Sequence, residues 1–227
     1  SNNYALTGSG GALYSNHNIT INGNTNISGN LSAGSGGALF AAGLGTANTV
    51  TLDTSLGHIA FTGNKSGVTF TDGVPDDGSG VSNAIHLDKN TELIIKGNNN
   101  VYLHDGINAG TGGGNSLTKI GAGILQFMGN SILNANNVAG GAVAVNGGVF
   151  RVVSGASFTT GGNDNALLTV GTDGTLEGGG TITSANGFVI NGTISPDADA
   201  FEIPADLSTA GRNLVDNAKK IATMTLT

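Results

Sequence analysis

The sequence predicts an all-β chain wound as a solenoid, and three observations carry that expectation. Apolar residues fall in short runs that alternate with polar ones, the period of a half-buried strand. The runs are separated by Gly, Asn, Asp and Ser, which tolerate tight bends and left-handed backbone. One word, Gly-Ser-Gly-Gly-Ala-Leu followed by an aromatic, stands at Gly8 to Tyr14 and returns at Gly34 to Phe40.

The composition agrees. Gly supplies 40 of the 227 residues and charged residues are 10%, far from the roughly 25% of an ordinary globular domain. Hydrophobic residues still reach 38%, enough to argue for a folded chain over a disordered one.

The predicted strands follow one another from the first residues. Ile19, Ile21 and Ile27 sit in runs broken at Asn22, Gly23 and Asn24; Val50 and Leu52 make the next, then Ile59 with Phe61. Further runs end at Phe70, Leu87, Gly97, Asp105, Phe127, Val153, Val170, Ser184 and Ile194. Near the C-terminus the spacing of Leu207, Leu214, Ala218 and Ile221 approaches that of a helix, while Lys220 to Leu226 reads as a last strand, the preferred reading.

A repeat of roughly 20–26 residues divides the chain into about nine to eleven coils, each adding about 4.8 Å of rod. Equivalent positions would then stack, Leu13 on Leu39 and Tyr14 on Phe40. Gly10-Gly11 and Gly36-Gly37 would bend the backbone where a Cβ would clash. Thr91 to Leu103 parallels His17 to Gly29, a displacement that three such coils would produce. Asp72 to Asn83 reads as an insertion bulging from the coil, since Pro75 cannot donate to a central ladder.

These motifs resemble a known family. The two Gly-Gly-Ala-Leu words, with Ile27-Ser-Gly-Asn30 and Phe61-Thr-Gly-Asn64, resemble the GGA-[ILV] and F-x-x-N repeats of chlamydial polymorphic membrane proteins, shared by related autotransporters. Leu93 to Ile107 resembles the segment that ends such repeats. Leu117 to Gly129, followed by Val145 to Val152, is similar to the passenger-associated repeat of autotransporters, and Ile190 to Asp197 resembles a strand near passenger C-termini.

The resemblance implies a single right-handed parallel β-helix over residues 1–227. Residues 1–116 would carry the GGAL and F-x-x-N repeats, and 117–227 the passenger-associated repeat and C-terminal stem. It also implies a passenger of type V secretion at the bacterial cell surface or outer membrane, or secreted. The anchor would be a C-terminal membrane β-barrel, which this sequence does not include.

Chemistry is sparse. A net charge of −7 argues against nucleic acid or an anionic membrane as partner. No run of about 18 apolar residues occurs, and no basic segment leads into an apolar core at the start. Absence of Cys excludes disulfides, thiolate metal sites and Cys nucleophiles.

Asp76-Asp77 is the only adjacent pair of carboxylates, and it sits in a Pro/Gly/Ser loop where solvated turn residues are ordinary. Gly57-His58 continues to Ile59 rather than Gly, no Arg-x-Lys occurs, and no acidic residue lies between Asp105 and Asp164 to support Arg151 as a lyase base. Arg151 and Arg212 therefore read as surface residues. His17, His58, His86 and His104 are widely spaced, unlike the close pair of a zinc site. Gly110 to Ser116 lacks the Gly-Lys-Ser/Thr ending of a phosphate loop and reads as a connection between repeat types.

No catalytic, metal or cofactor residue is therefore expected. The expected function is adhesion to a host cell-surface or matrix ligand, or self-association. The alternative is a structural stalk that helps the passenger fold; a β-helical polysaccharide lyase or glycosidase comes behind both. The candidate binding loop comprises Asp72, Asp76, Asp77, Ser79 and Asn83, with Asp105 to Asn115 second.

Overall fold

The alternating runs become three long parallel sheets, built largely by pairing between successive circuits of the chain. The computed structural model describes residues 1–43, 48–76, 78–109, 114–135, 143–162, 167–184, 187–195 and 225–226. Sheet I stacks eight strands: Leu13–Ser15, Leu39–Ala41, Ile85–Leu87, Ile107–Ala109, Ser131–Ala135, Ser157–Gly162, Thr181–Ser184 and Thr225–Leu226. Sheet II stacks seven, from Ile19–Asn22 to Phe188–Ile190, and sheet III seven, from Thr25–Ser28 to Thr193–Ser195. The chain visits the sheets in the order I, II, III and then returns to I one strand further along, a path compatible with a solenoid.

The expected stacking holds at its starting point. Leu13 pairs with Leu39 and Tyr14 with Phe40. Inward side chains form columns, of which Ile19, Val50, Leu93, Leu117, Val143, Leu168 and Phe188 make one in sheet II. Val50, Leu93, Val143 and Leu168 in that column are fully buried. Phe127, Phe150 and Phe158 fill the interior lower down, with ring centroids 4.8–5.0 Å apart.

The number of coils is corrected. Among the described residues the sheets hold seven or eight strands, because two circuits are nearly twice the expected length. One carries the chain from Leu39 to its partner Ile85, the other from Thr181 to its partner Thr225. The step from His17 to Thr91 is likewise two circuits and not three, Ile19 pairing with Val50 and Val50 with Leu93.

The first long circuits arise because the chain adds a fourth, short sheet between sheets III and I. It runs Tyr4–Ala5, Leu31–Ser32, Lys65–Ser66 and, antiparallel, Val81–Ser82. Glycine is required where these circuits touch: a Cβ on Gly37 would strike the Lys65 amide and the Asn83 carbonyl. Of the C-terminal alternatives, Leu207 to Ala222 lies outside the described residues, and Thr225–Leu226 forms a strand beside Thr181–Ser184.

Candidate functional site

The insertion from Asp72 is a small hairpin where a loop was expected. Phe70–Thr71 pairs antiparallel with Val74–Pro75, joined through Asp72 and Gly73 at φ of 52° and 80°. Positive φ at both central positions is the turn that matches strand twist, and Asp-Gly is a favoured sequence for it. Pro75 lies at the open end of the hairpin, opposite Phe70, where its missing N–H interrupts no ladder.

The five loop residues part company here. Asp72 is exposed at the hairpin tip. Asp76 and Ser79 close a local turn: the Asp76 Oδ1 accepts from the Gly78 amide at 3.0 Å, and Ser79 Oγ donates to the Asp76 carbonyl at 2.7 Å and accepts from the Thr69 amide at 2.8 Å. Asp77 lies outside the described residues. Asn83 is corrected: it is 3% exposed and belongs to the wall, its carbonyl accepting from the Gly37 amide at 2.9 Å.

Ala84-Ile85-His86 takes the place of the end of the opening word in the next circuit. These three residues stack under Ala38, Leu39 and Phe40. Ala, an aliphatic and a flat ring at 12–14, 38–40 and 84–86 was the signal, hidden by the uneven spacing.

The second stretch is buried at both of its ends, while Asn108 within it is exposed. Its first residue, Asp105, is 4% exposed and ends a ladder of buried amides. Asn3 donates from N and Nδ2 to Asn30 Oδ1 at 3.0 and 2.9 Å; Asn30 does the same to Asn64 Oδ1 at 3.1 and 2.8 Å. Asn64 donates from N and Nδ2 to Asp105 Oδ2 at 2.9 and 2.7 Å, and the Gly63 amide reaches Oδ1 at 2.8 Å. The asparagines of the two F-x-x-N words thus work inward, satisfying backbone where the circuit widens. The last residue of the stretch, Asn115, is 1% exposed and accepts from the Thr91 amide at 3.0 Å, while residues 110–113 lie outside the described set.

What remains for recognition is the outer face of the sheets. On sheet I the outward column reads Tyr14, Phe40, His86, Asn108, Ile132, Thr159 and Thr183. Tyr14, Phe40 and His86 stack with interplanar angles of 9° and 4° and centroids 5.4 and 5.0 Å apart. Tyr14 is 60% and Ile132 46% exposed. Burial pushes the His86 pKa below its ordinary value, with Asp88 opposing.

The outward column of sheet III differs in burial. Tyr102, Gln126 and Arg151 are at most 9% exposed, so Arg151 is not the exposed surface residue that its position on a strand suggests. Its guanidinium donates to Gln126 Oε1 at 3.0 Å and pairs with Glu177 at 2.9 Å. Arg212 lies outside the described residues.

On sheet II, Asp53 accepts from Ser55 and pairs with Lys96 at 3.0 Å, and these contacts, Ser55 first, hold its carboxyl down at about 2. His58 Nδ1 accepts from the Asn100 amide at 3.0 Å. Among the described residues no three His, Cys, Asp or Glu come together as metal ligands would. No helix there is long and apolar enough to cross a membrane. No family model, curated protein or solved structure matches this chain.

Proposed function

We propose that the chain is a passenger segment of an autotransporter-like surface protein, a right-handed parallel β-helix that acts as an adhesin toward a host ligand or another copy of itself. Parallel strands joined by crossovers are right-handed in nearly all proteins, and the crossover rule applies at every circuit here. The observation that carries adhesion is the in-register outward column of sheet I. It offers aromatic, amide, aliphatic and hydroxyl groups at one-strand intervals on a rigid wall, so weak contacts sum along its length.

The test is binding of purified protein to cells and matrix proteins, together with self-aggregation. Tyr14→Glu combined with Ile132→Glu, both on exposed positions, is expected to abolish binding with the fold retained. Binding unchanged by those charges removes the adhesive column. A stalk is the second reading, favoured by residues 114–184, whose circuits keep a nearly even length: Leu117 stacks on Val143 and Val143 on Leu168, Ser131 on Phe158 and Ser157 on Thr181. If residues 114–195 alone resist unfolding and bind nothing, that half is the stalk.

A further inference from the structure

The second inward column of sheet II reads Ile21, Leu52, Ile95, Lys119, Val145, Val170 and Ile190. Six aliphatic side chains and one lysine share a position whose side chains face the core. Lys119 is 1% exposed. A lysine at such a place ordinarily runs its stem along apolar surface and carries its charge to water. Here Nζ instead donates to the carbonyls of Ile120 at 3.1 Å, Gly121 at 2.7 Å and Gly147 at 3.1 Å. An ammonium has three N–H groups, and each has an acceptor.

Two of those carbonyls belong to the corner that follows Lys119; the third belongs to the same corner one circuit later. Backbone glycines pack the two corners together, since a Cβ on Gly148 would strike the Gly121 carbonyl. The Asn146 amide also donates to the Lys119 carbonyl at 2.8 Å.

We infer that Lys119 is a built-in cation that ties one corner of the wall to the next and sets the register between the Leu117 to Gly129 stretch and the Val145 to Val152 stretch. The two halves of that motif, one circuit apart, already pair as parallel strands, and this side chain adds the tie at their corner. Neighbouring charges do not share the task. Ile95 and Val145 flank Lys119 in its column, and Lys96 pairs with Asp53. Burial lowers the Lys119 pKa to about 8, as expected of an ammonium with no carboxylate partner.

Two measurements test the clamp. In the native protein, acylation with acetic anhydride should modify Lys119 at least tenfold more slowly than exposed Lys89; equal rates overturn the inference. In Lys119→Ala, amide exchange at Ile120–Gly123 and Asn146–Gly148 should quicken at least tenfold, with the coils before Thr91 unchanged. Methylammonium should restore protection in that variant, whereas tetramethylammonium, which has no N–H, should not. Unchanged exchange, or equal rescue by both cations, would mean that the side chain merely fills space. Should Lys119→Ala fail to fold, Lys119→Met, which keeps the buried stem and loses the N–H groups, takes its place in the exchange measurement: quickened exchange at the two corners supports the clamp, and unchanged exchange overturns it.

Discussion

Residues 1–109 and 114–195 build the same wall in different ways. In the first half the circuits through sheet II are long and unequal, from Ile19 to Val50 and then from Val50 to Leu93, because the chain detours through a fourth sheet and a hairpin. Its widened corner is held by a directional ladder of buried amides ending on Asp105. In the second half the circuits of that sheet are short and nearly equal, running through Leu93, Leu117, Val143 and Leu168, and three phenylalanines fill the interior. Short corners leave less backbone to satisfy, and at one of them an ammonium meets the carbonyls. Wide corners expose buried N–H groups and demand side-chain acceptors.

The sharpest way to break the contrast is Phe150→Ala. It removes a buried ring from the three-ring cluster and should cost about 4 kcal/mol in urea unfolding. Because stability in a stacked array is nearly a sum of local terms, amide exchange should quicken mainly from Ser116 onward. Asp105→Ala is the counterpart in the first half. It strands the Gly63 and Asn64 amides and removes one of the two acceptors of Asn64 Nδ2, and should cost about 3 kcal/mol with exchange quickening near Asn30 and Asn64. Loss of protection spread evenly over the chain in either variant would mean that the halves do not differ in this way.

pH should separate the halves without mutation. The folded pKa of Lys119 lies at about 8 and its unfolded value at 10.5, so between them the unfolded chain holds more protons and stability rises with pH. The gain should be on the order of 2 kcal/mol, located in the second half and absent in Lys119→Met. His86 and His104 are both pushed below 6.5 by burial, so the first half should lose stability as pH falls below that value. Exchange profiles at mildly acid and alkaline pH would show both. The smallest effect is expected at the hairpin tip, where Asp72→Val places a branched side chain at positive φ and should cost about 1 kcal/mol without quickening exchange in the three long sheets.

Much of the wall was legible. The repeated word placed Leu13 on Leu39 and Tyr14 on Phe40, since a chain that repeats its cross-section must stack equal letters. The Asp-Gly pair announced a hairpin that the proline obscured. Asn83 was misplaced because a loop and a wall share the same polar vocabulary, and only register tells them apart. The direction of Asn30, Asn64 and Asp105 was hidden for the same reason: an asparagine can face water or a neighbouring coil with equal propensity.

By itself the sequence determined the strand-forming alternation, the glycine bends and the stacking of its repeated words, because these follow from local periodicity and steric freedom. Only the tertiary structure decided the number of circuits, the burial of Asp105 and the inward turn of Lys119. Those depend on which backbone groups two circuits bring face to face, and loop length between strands leaves no local trace of that meeting.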